Sequence, residues 1–351
     1  MIMTSSDTTA DATTVARPRS RSRGIVLLVL ASLCFGSSGV LGKPAMLSGL
    51  TPEQVATARI SIAAVVLLLG VGLTRPALLR VRRGQWRLLL GYGLLGVAGV
   101  QLFYFLAAAR VPVGIAILLE FTSPVLVALW VRFVRRVRLP WPMWTGIGLA
   151  LLGLALVARV HEGLVLDVLG LLAGIAAALC SAAYFLIGEQ GVASHHPLSM
   201  VTWGMVIAAV AVCLIAPPWT MPSSTLLSSA EFGPWRPPVW LLLVTVAVLS
   251  TVFAYLAGIT ALRHLPASTA SVLALLEPLV ATSMAWALLG EALVWVQILG
   301  AFVLLGGALL VQLTAPAAQG GPTGPVEPLP GEAPSEDRVF RRSRKERQGE
   351  P

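Results

Sequence analysis

Leu139-Pro140-Trp141-Pro142-Met143-Trp144-Thr145-Gly146 and Leu293-Val294-Trp295-Val296-Gln297-Ile298-Leu299-Gly300 are the two stretches whose comparison decides the fold. They stand 293 − 139 = 154 residues apart and carry leucine, tryptophan and glycine at matching positions. The same offset pairs Gly153 with Gly307 and Val157 with Val311 downstream. Upstream it pairs Pro112 with Pro266, Ala116 with Ala270 and Pro124 with Pro278, without a gap. Further upstream the offset is 197 − 52 = 145, aligning Pro52 with Pro197 and Ile62-Ala63-Ala64-Val65 with Ile207-Ala208-Ala209-Val210. Apolar sequences match by chance more readily than mixed ones. Shared prolines, glycines and a tryptophan in one register make chance a poor explanation, and the chain reads as an internal duplication.

The duplicated unit is built for lipid. The 351 residues are 56% hydrophobic and 12% charged, with a mean hydropathy of +0.83, whereas a soluble domain carries about 25% charged residues. A helix crosses the hydrocarbon core with about 20 mostly apolar residues. Apolar runs of that order lie at 24–47, 53–73, 88–109, 112–131, 140–158, 168–188, 198–216, 239–262, 266–289 and 293–313. The expected fold is an all-α integral membrane protein of about ten transmembrane helices, with a first five-helix repeat over 24–158 and a second over 168–313. Residues 1–23 and 316–351 read as disordered cytoplasmic tails. Arg17 to Arg23 ahead of an apolar run introduce an uncleaved first helix rather than a signal peptide.

Five is an odd number, so the second copy must enter the membrane the other way up. Two inverted repeats are a transporter architecture, with substrate near the midplane between the copies. Orientation follows Lys and Arg in short loops. With the N-terminus inside, the inner loops hold Arg75, Arg80, Arg82, Arg83 and Arg87, then Arg132, Arg135, Arg136 and Arg138, then Arg263, besides the basic tails. The outer loops hold Lys43, Arg110, Arg159 and Arg236. This bias of roughly five to one puts both termini in the cytoplasm and residues 217–238 outside, in a multi-pass protein of the cell (plasma or inner) membrane. Arg135-Arg136-Val137-Arg138 inside corresponds to the uncharged-to-acidic Gly290-Glu291-Ala292 outside.

Several function classes drop out. The net charge of +9 does not indicate nucleic acid, because the arginines lie between apolar runs and form no basic face. Cys34, Cys180 and Cys213 are odd in number, lie in apolar runs and form no C-x-x-C pair, so neither a disulfide framework nor a zinc site is indicated. His195-His196 has no third ligand near it, so no metal is expected, and no cofactor is called for. The spans contain no H-E-x-x-H, no G-x-S-x-G and no paired aspartates, which argues against an enzyme. The filter loops or charge rings of a channel are not evident. Without a Walker motif, transport would run on a gradient or be facilitated.

Four stretches resemble the EamA-type branch of the drug/metabolite transporter superfamily. They are Gly36-Ser37-Ser38-Gly39-Val40-Leu41-Gly42-Lys43, Pro52 with Arg59, Leu276-Glu277-Pro278-Leu279 with Gly290-Glu291, and Gln297-Ile298-Leu299-Gly300-Ala301. The resemblance spans 24–313 and implies a ten-helix inverted-repeat fold that carries metabolites, amino acids or drugs. The chain departs from the pattern twice. Its first helix lacks the acidic residue that small multidrug exporters use for cations, and its fourth lacks the usual Gly-Glu ending. A proton/cation antiport mechanism therefore does not carry over.

An ionisable group at the centre of a membrane helix costs roughly 2.5–3.5 kcal/mol and marks function by default. Lys43, Arg59, Glu120 and Glu277 qualify, and with the deeper tyrosines Tyr104 and Tyr255 they are the candidate substrate-binding residues. Tyr184 and Trp286 read as interface anchors. Pro124 and Pro278 are candidate helix breaks, since proline leaves a carbonyl without its usual donor. The plainer alternative is mutual neutralisation, such as Arg59 with Glu120, or snorkelling by the two bases. The glycine stripes Gly91, Gly93, Gly96, Gly99 and Gly146, Gly148, Gly153 read as packing. Two bases and two acids balance, which suits a small polar or zwitterionic solute better than a lone cation. The expected function is a secondary transporter, an exporter, of a small polar metabolite, amino acid or drug-like solute. The alternative is a channel or scaffold without transport. Partners are the solute and membrane lipid, with no nucleic acid, and a homodimer is left open. Reporter fusions are expected to place both termini, Arg80 and Arg135 in the cytoplasm and Ser224 outside; a cytoplasmic signal at Ser224 breaks the inversion.

Overall fold

The computed structural model describes residues 21–108, 110–111, 113–157, 167–233, 235–289 and 294–314. Pro112, Arg159, Leu293, Gly290-Glu291-Ala292 and the tails up to Ser20 and from Ala315 lie outside the described residues. Among the described residues the chain is helical, with two isolated bridges, Ser229–Pro238 and Phe232–Trp235, in place of any strand. Eight helices are long and apolar enough to cross a membrane. They are α1 (Arg21–Leu47), α2 (Pro52–Thr74), α3 (Trp86–Ala108), α4 (Ala116–Phe133), α6 (Val168–Ser194), α7 (Pro197–Ile215), α8 (Val239–Ala261) and α9 (Ala267–Leu288). Two further apolar helices are α5 (Trp141–Val157) and α10 (Trp295–Thr314). Arg21, Ser22 and Arg23, expected in the tail, form the first turn of α1.

Local chemistry explains where the helices start. Pro52 opens α2 behind a capping box, in which the Gln54 amide donates to Thr51 Oγ1 at 3.3 Å and the Thr51 amide donates to Gln54 Oε1 at 3.0 Å. Asp167 caps α6 through Gly170 N–H at 2.7 Å. Outward faces are apolar. Leu73, Leu214 and Phe302 are 84%, 80% and 70% exposed, a surface that water would not tolerate and lipid does.

Glycine sets the packing of α5 on α10. A Cβ on Gly153 would stand 2.3 Å from Leu304 N and 2.6 Å from Gly300 O. One on Gly307 would stand 2.4 Å from Ala150 N and 2.6 Å from Gly146 O. Gly146 thus meets Gly307 while Gly153 meets Gly300, so the two helices run antiparallel, backbone against backbone. Gln297 Nε2 reaches back to Val157 O at 3.2 Å, joining the start of α10 to the end of α5. Met143, Ile147, Leu154, Leu275 and Leu304 fill the space beside them. Small residues serve this purpose in lipid, where no hydrophobic drive pulls helices together.

Four helices are irregular, and they fall into two matched pairs. α3 winds as a π-helix over Tyr92–Gly99 and α8 over Val248–Phe253. α4 breaks between Glu120 and Ser123, and α9 between Leu273 and Leu276. The breaks correspond under the offset of 154, since 121 + 154 = 275. Pro124 and Pro278 each follow a break. Segments of α4 and α9 pack together through Val127, Val131, Ala267, Ala270 and Leu273.

The α5–α10 contact generates a stability test. Gly153→Val is expected to lower Tm of the detergent-solubilised protein by on the order of 5 °C through overpacking. Gly148→Ala, which meets nothing within 4 Å, is expected to leave Tm unchanged.

Candidate functional site

The four irregular helices, with α1, α2 and α6, enclose a cavity of about 330 Å³. In α3 the π stretch carries glycines at points of close approach. A Cβ on Gly96 would lie 3.1 Å from Tyr184 Cα, and one on Gly99 would lie 2.9 Å from both Cys180 Sγ and Leu94 O. In α8 the extra turn is held by Thr251 Oγ1, which donates to Val246 O at 3.2 Å, and by Ser250 Oγ, 2.8 Å from Ser37 Oγ of α1. π turns shift the register of the side chains that follow them. The residues so displaced, Gln101 and Tyr104 after one π turn and Tyr255 after the other, line the cavity.

Arg59 from α2, Glu120 from α4 and Glu277 from α9 also line it, and Arg59 acts electrostatically on both carboxyl groups. Arg59 Nε is buried without a hydrogen-bond partner. Gln101 and Tyr255 stand beside each other in this lining, and 255 − 101 = 154, the repeat offset. Tyr255 stands edge-on to Phe35 at 4.9 Å and to Tyr184 at 5.7 Å, forming an aromatic wall. Gly36 seats α1 against α9, because a Cβ there would lie 2.9 Å from Glu277 O. Within the stretch 36–39, then, Gly36 positions Glu277, Ser37 bonds Ser250, and Ser38 and Gly39 face the cavity.

Of the candidates read from sequence, Arg59, Tyr104, Glu120, Tyr255, Glu277 and Pro278 are brought together. Lys43 is not; it is exposed on α1 and outside the lining. Pro124 is buried in α4, behind the lining. Tyr184, read as an interface anchor, is 9% exposed and lines the cavity instead. Trp286 is 55% exposed, on the outside. Gln101 went unread, although a lone amide in an apolar helix is itself a signal. His195 and His196 serve helix ends: Leu198 N–H donates to His196 Nδ1 at 3.2 Å, and His195 O accepts from Arg263 at 3.2 Å. Burial, then the charges of Arg263 and Arg75, hold the His196 imidazole below its usual value.

Residues 22–159 and 168–313 each match the model of the EamA-like transporter family. The chain belongs to that family. The two matches coincide with the two halves of the duplication, and the chain is a multi-pass membrane transporter. Threonine/homoserine exporter RhtA of Salmonella typhimurium (strain SL1344) is 29% identical over 83% of this chain and 91% of its own length. RhtA of Escherichia coli (strain K12) is 28% identical over 85% and 95%. Uncharacterized transporter YdfC of Bacillus subtilis (strain 168) is 25% identical over 84% and 93%. A solved crystal structure shares the fold at a TM-score of 0.67 and 22% identity, covering 84% of this chain and 98% of that one.

Tyr184 Oη is buried without a partner and would stand 2.8 Å from a Cβ at Gly258. An unpaired buried hydroxyl costs about 1–3 kcal/mol. Tyr184→Phe is therefore expected to hold or raise Tm of the solute-free protein, and a clear fall would show that the hydroxyl has a protein partner.

Proposed function

We propose that this EamA-like transporter exports a small zwitterionic, amino-acid-like solute through the cavity bounded by Arg59, Glu120 and Glu277. The observation that carries the reading is an arginine with an unpaired buried Nε facing two carboxyl groups inside an apolar bundle. With Lys43 outside the lining, one base stands against two acids. A solute carboxylate satisfies Arg59 by charge-assisted hydrogen bonding, and its ammonium group donates to the Glu120 and Glu277 carboxyl groups. A purely cationic drug would leave Arg59 unmatched. Ligand pockets run from about 300 to 1,000 Å³, so a cavity of about 330 Å³ favours a small metabolite over a large drug. The wall of Phe35, Tyr184 and Tyr255 suits an apolar side chain or methyl group. The names of the RhtA relatives, threonine/homoserine exporters, agree with this class.

The wider arrangement is part of the same proposal. Ten spans form two inverted five-helix repeats, with both termini in the cytoplasm of a cell whose inner membrane holds the protein. The antiparallel meeting of Gly146 with Gly307 and Gly153 with Gly300 supports the inversion, since α5 and α10 are repeat counterparts. The chain is not an enzyme; it moves the solute down or against a gradient without changing it. Solute and surrounding lipid are its partners.

The test is uptake into inside-out proteoliposomes, with threonine and homoserine as first solutes and a thermal-shift screen to widen the set. Arg59→Gln, Glu120→Gln and Glu277→Gln are each expected to lower transport at least roughly tenfold, as loss of a charged contact of about 1.5–3 kcal/mol implies, with membrane expression retained. Near-normal transport in all three would make these charges structural pairs and remove the site, while leaving the family intact.

A further inference from the structure

Glu189 stands near the end of α6, just over one helical turn past the cavity-lining Tyr184 and Phe185, and takes no part in the site described above. Both of its carboxylate oxygens are engaged, each by a different helix. Oε2 pairs with Arg135 Nη1, immediately beyond the end of α4. Oε1 accepts from the N–H of Ala267, the first residue of α9, at 3.0 Å. That amide is one of the orphan donors that every helix start presents, and Pro266 before it offers no side-chain cap. The two helices gripped in this way are the interrupted ones, which carry Glu120 and Glu277 into the cavity.

The grip sits at the closed end. Toward the turn between α1 and α2 the cavity lining becomes exposed, as at Pro52, whereas Leu28 and Ala31 near the start of α1 are 3% and 1% exposed. The start of α1 is on the Glu189 side, because a Cβ on Gly24 would lie 2.7 Å from His264 and Leu265, just ahead of Ala267. Around Glu189, Val127 and Val131 of α4, Phe185 and Val192 of α6 and Ala267 and Ala270 of α9 share one apolar cluster. Arg136, next to Arg135, holds a left-handed φ of 56°, a conformation uncommon outside glycine and often found where a chain switches state.

We propose that Glu189 is the clasp that keeps the cavity shut at this end, and that the transport cycle releases it. The inference rests on the transport reading and adds a residue to it. Opening this end requires α4 and α9 to part from α6. Such parting breaks the Arg135 pair and frees the Ala267 amide together, so one side chain couples the movement of both acid-bearing helices. Arg135 and Glu189 are 30% and 21% exposed, within reach of water that can solvate them on release. Partly solvated ion pairs are weak, as a contact made and broken in each cycle must be.

The experiment uses the full chain with Cys34, Cys180 and Cys213 replaced by serine and Ala31→Cys as the reporter. A membrane-impermeant maleimide is applied to right-side-out and inside-out vesicles. From the face where α1 begins, labelling is expected to be slow in the parent and at least tenfold faster with Glu189→Ala or Arg135→Gln. The exchange Arg135→Glu with Glu189→Arg is expected to recover part of the slow rate relative to either single change, because it restores the ion pair but leaves the Ala267 amide without an acceptor; lost packing alone would give no recovery. Glu189→Gln, which keeps an acceptor for the Ala267 amide, is expected to give a several-fold rise and stands in if Glu189→Ala does not fold. Labelling unchanged in Glu189→Gln and Arg135→Gln overturns the clasp. The readout needs no solute, so clasp behaviour in a protein that transports nothing would sink the transport reading alone.

Discussion

A guanidinium and two carboxyl groups inside a lipid-embedded bundle are the constraint from which the rest of the architecture follows. Charge in such a medium is expensive unless it is paired or wetted, so Arg59, Glu120 and Glu277 need one another and a shared cavity. A cavity among helices needs its walls held at a distance on some faces and brought very close on others. The interruptions in α4 and α9 and the π turns in α3 and α8 serve the first need, and the glycines serve the second. Gly36 lets α1 touch the backbone of Glu277, and Gly96 lets α3 touch that of Tyr184. Lipid gives no hydrophobic reason for helices to associate, so this contact has to come from shape.

The duplication, the helices and three of the four charges were legible in the sequence because each rests on a strong signal: a gapless register, apolar runs of membrane length, and ionisable side chains where lipid penalises them. Lys43 was misplaced because the insertion penalty says how deep a residue lies and not which face of the helix it occupies. Near the end of α1 a lysine can turn outward, and it is exposed there. Tyr184 was misread for a related reason. The apolar run closes at 188, which puts Tyr184 near an end, but α6 continues to Ser194 and leaves the tyrosine well inside. Glu189 fell in the same overlooked stretch. Its partners, Arg135 and Ala267, lie 54 and 78 residues away, and no local pattern announces such contacts.

The glycines divide by role in a way that composition hides. Gly146, Gly153, Gly300 and Gly307 bring backbone to backbone, while Gly39 and Gly148 meet nothing within 4 Å. The first kind belongs to the α5–α10 seam, and neither of those helices contributes to the cavity lining. That seam resembles a keel: it supplies close packing where no cavity is needed and leaves the cavity to α1–α4, α6, α8 and α9.

Gln101 and Tyr255 occupy corresponding positions of the two copies and stand beside each other in the cavity lining. Counterparts that touch must sit on the axis relating the halves. In a symmetric pair of separate half-length chains that spot would hold the same residue twice, amide facing amide or phenol facing phenol. Joining the halves in one polypeptide lifts that restriction, so an amide can meet a phenol at the centre of the molecule. The contact is a mark of fused ancestry that two free subunits of identical sequence could not display.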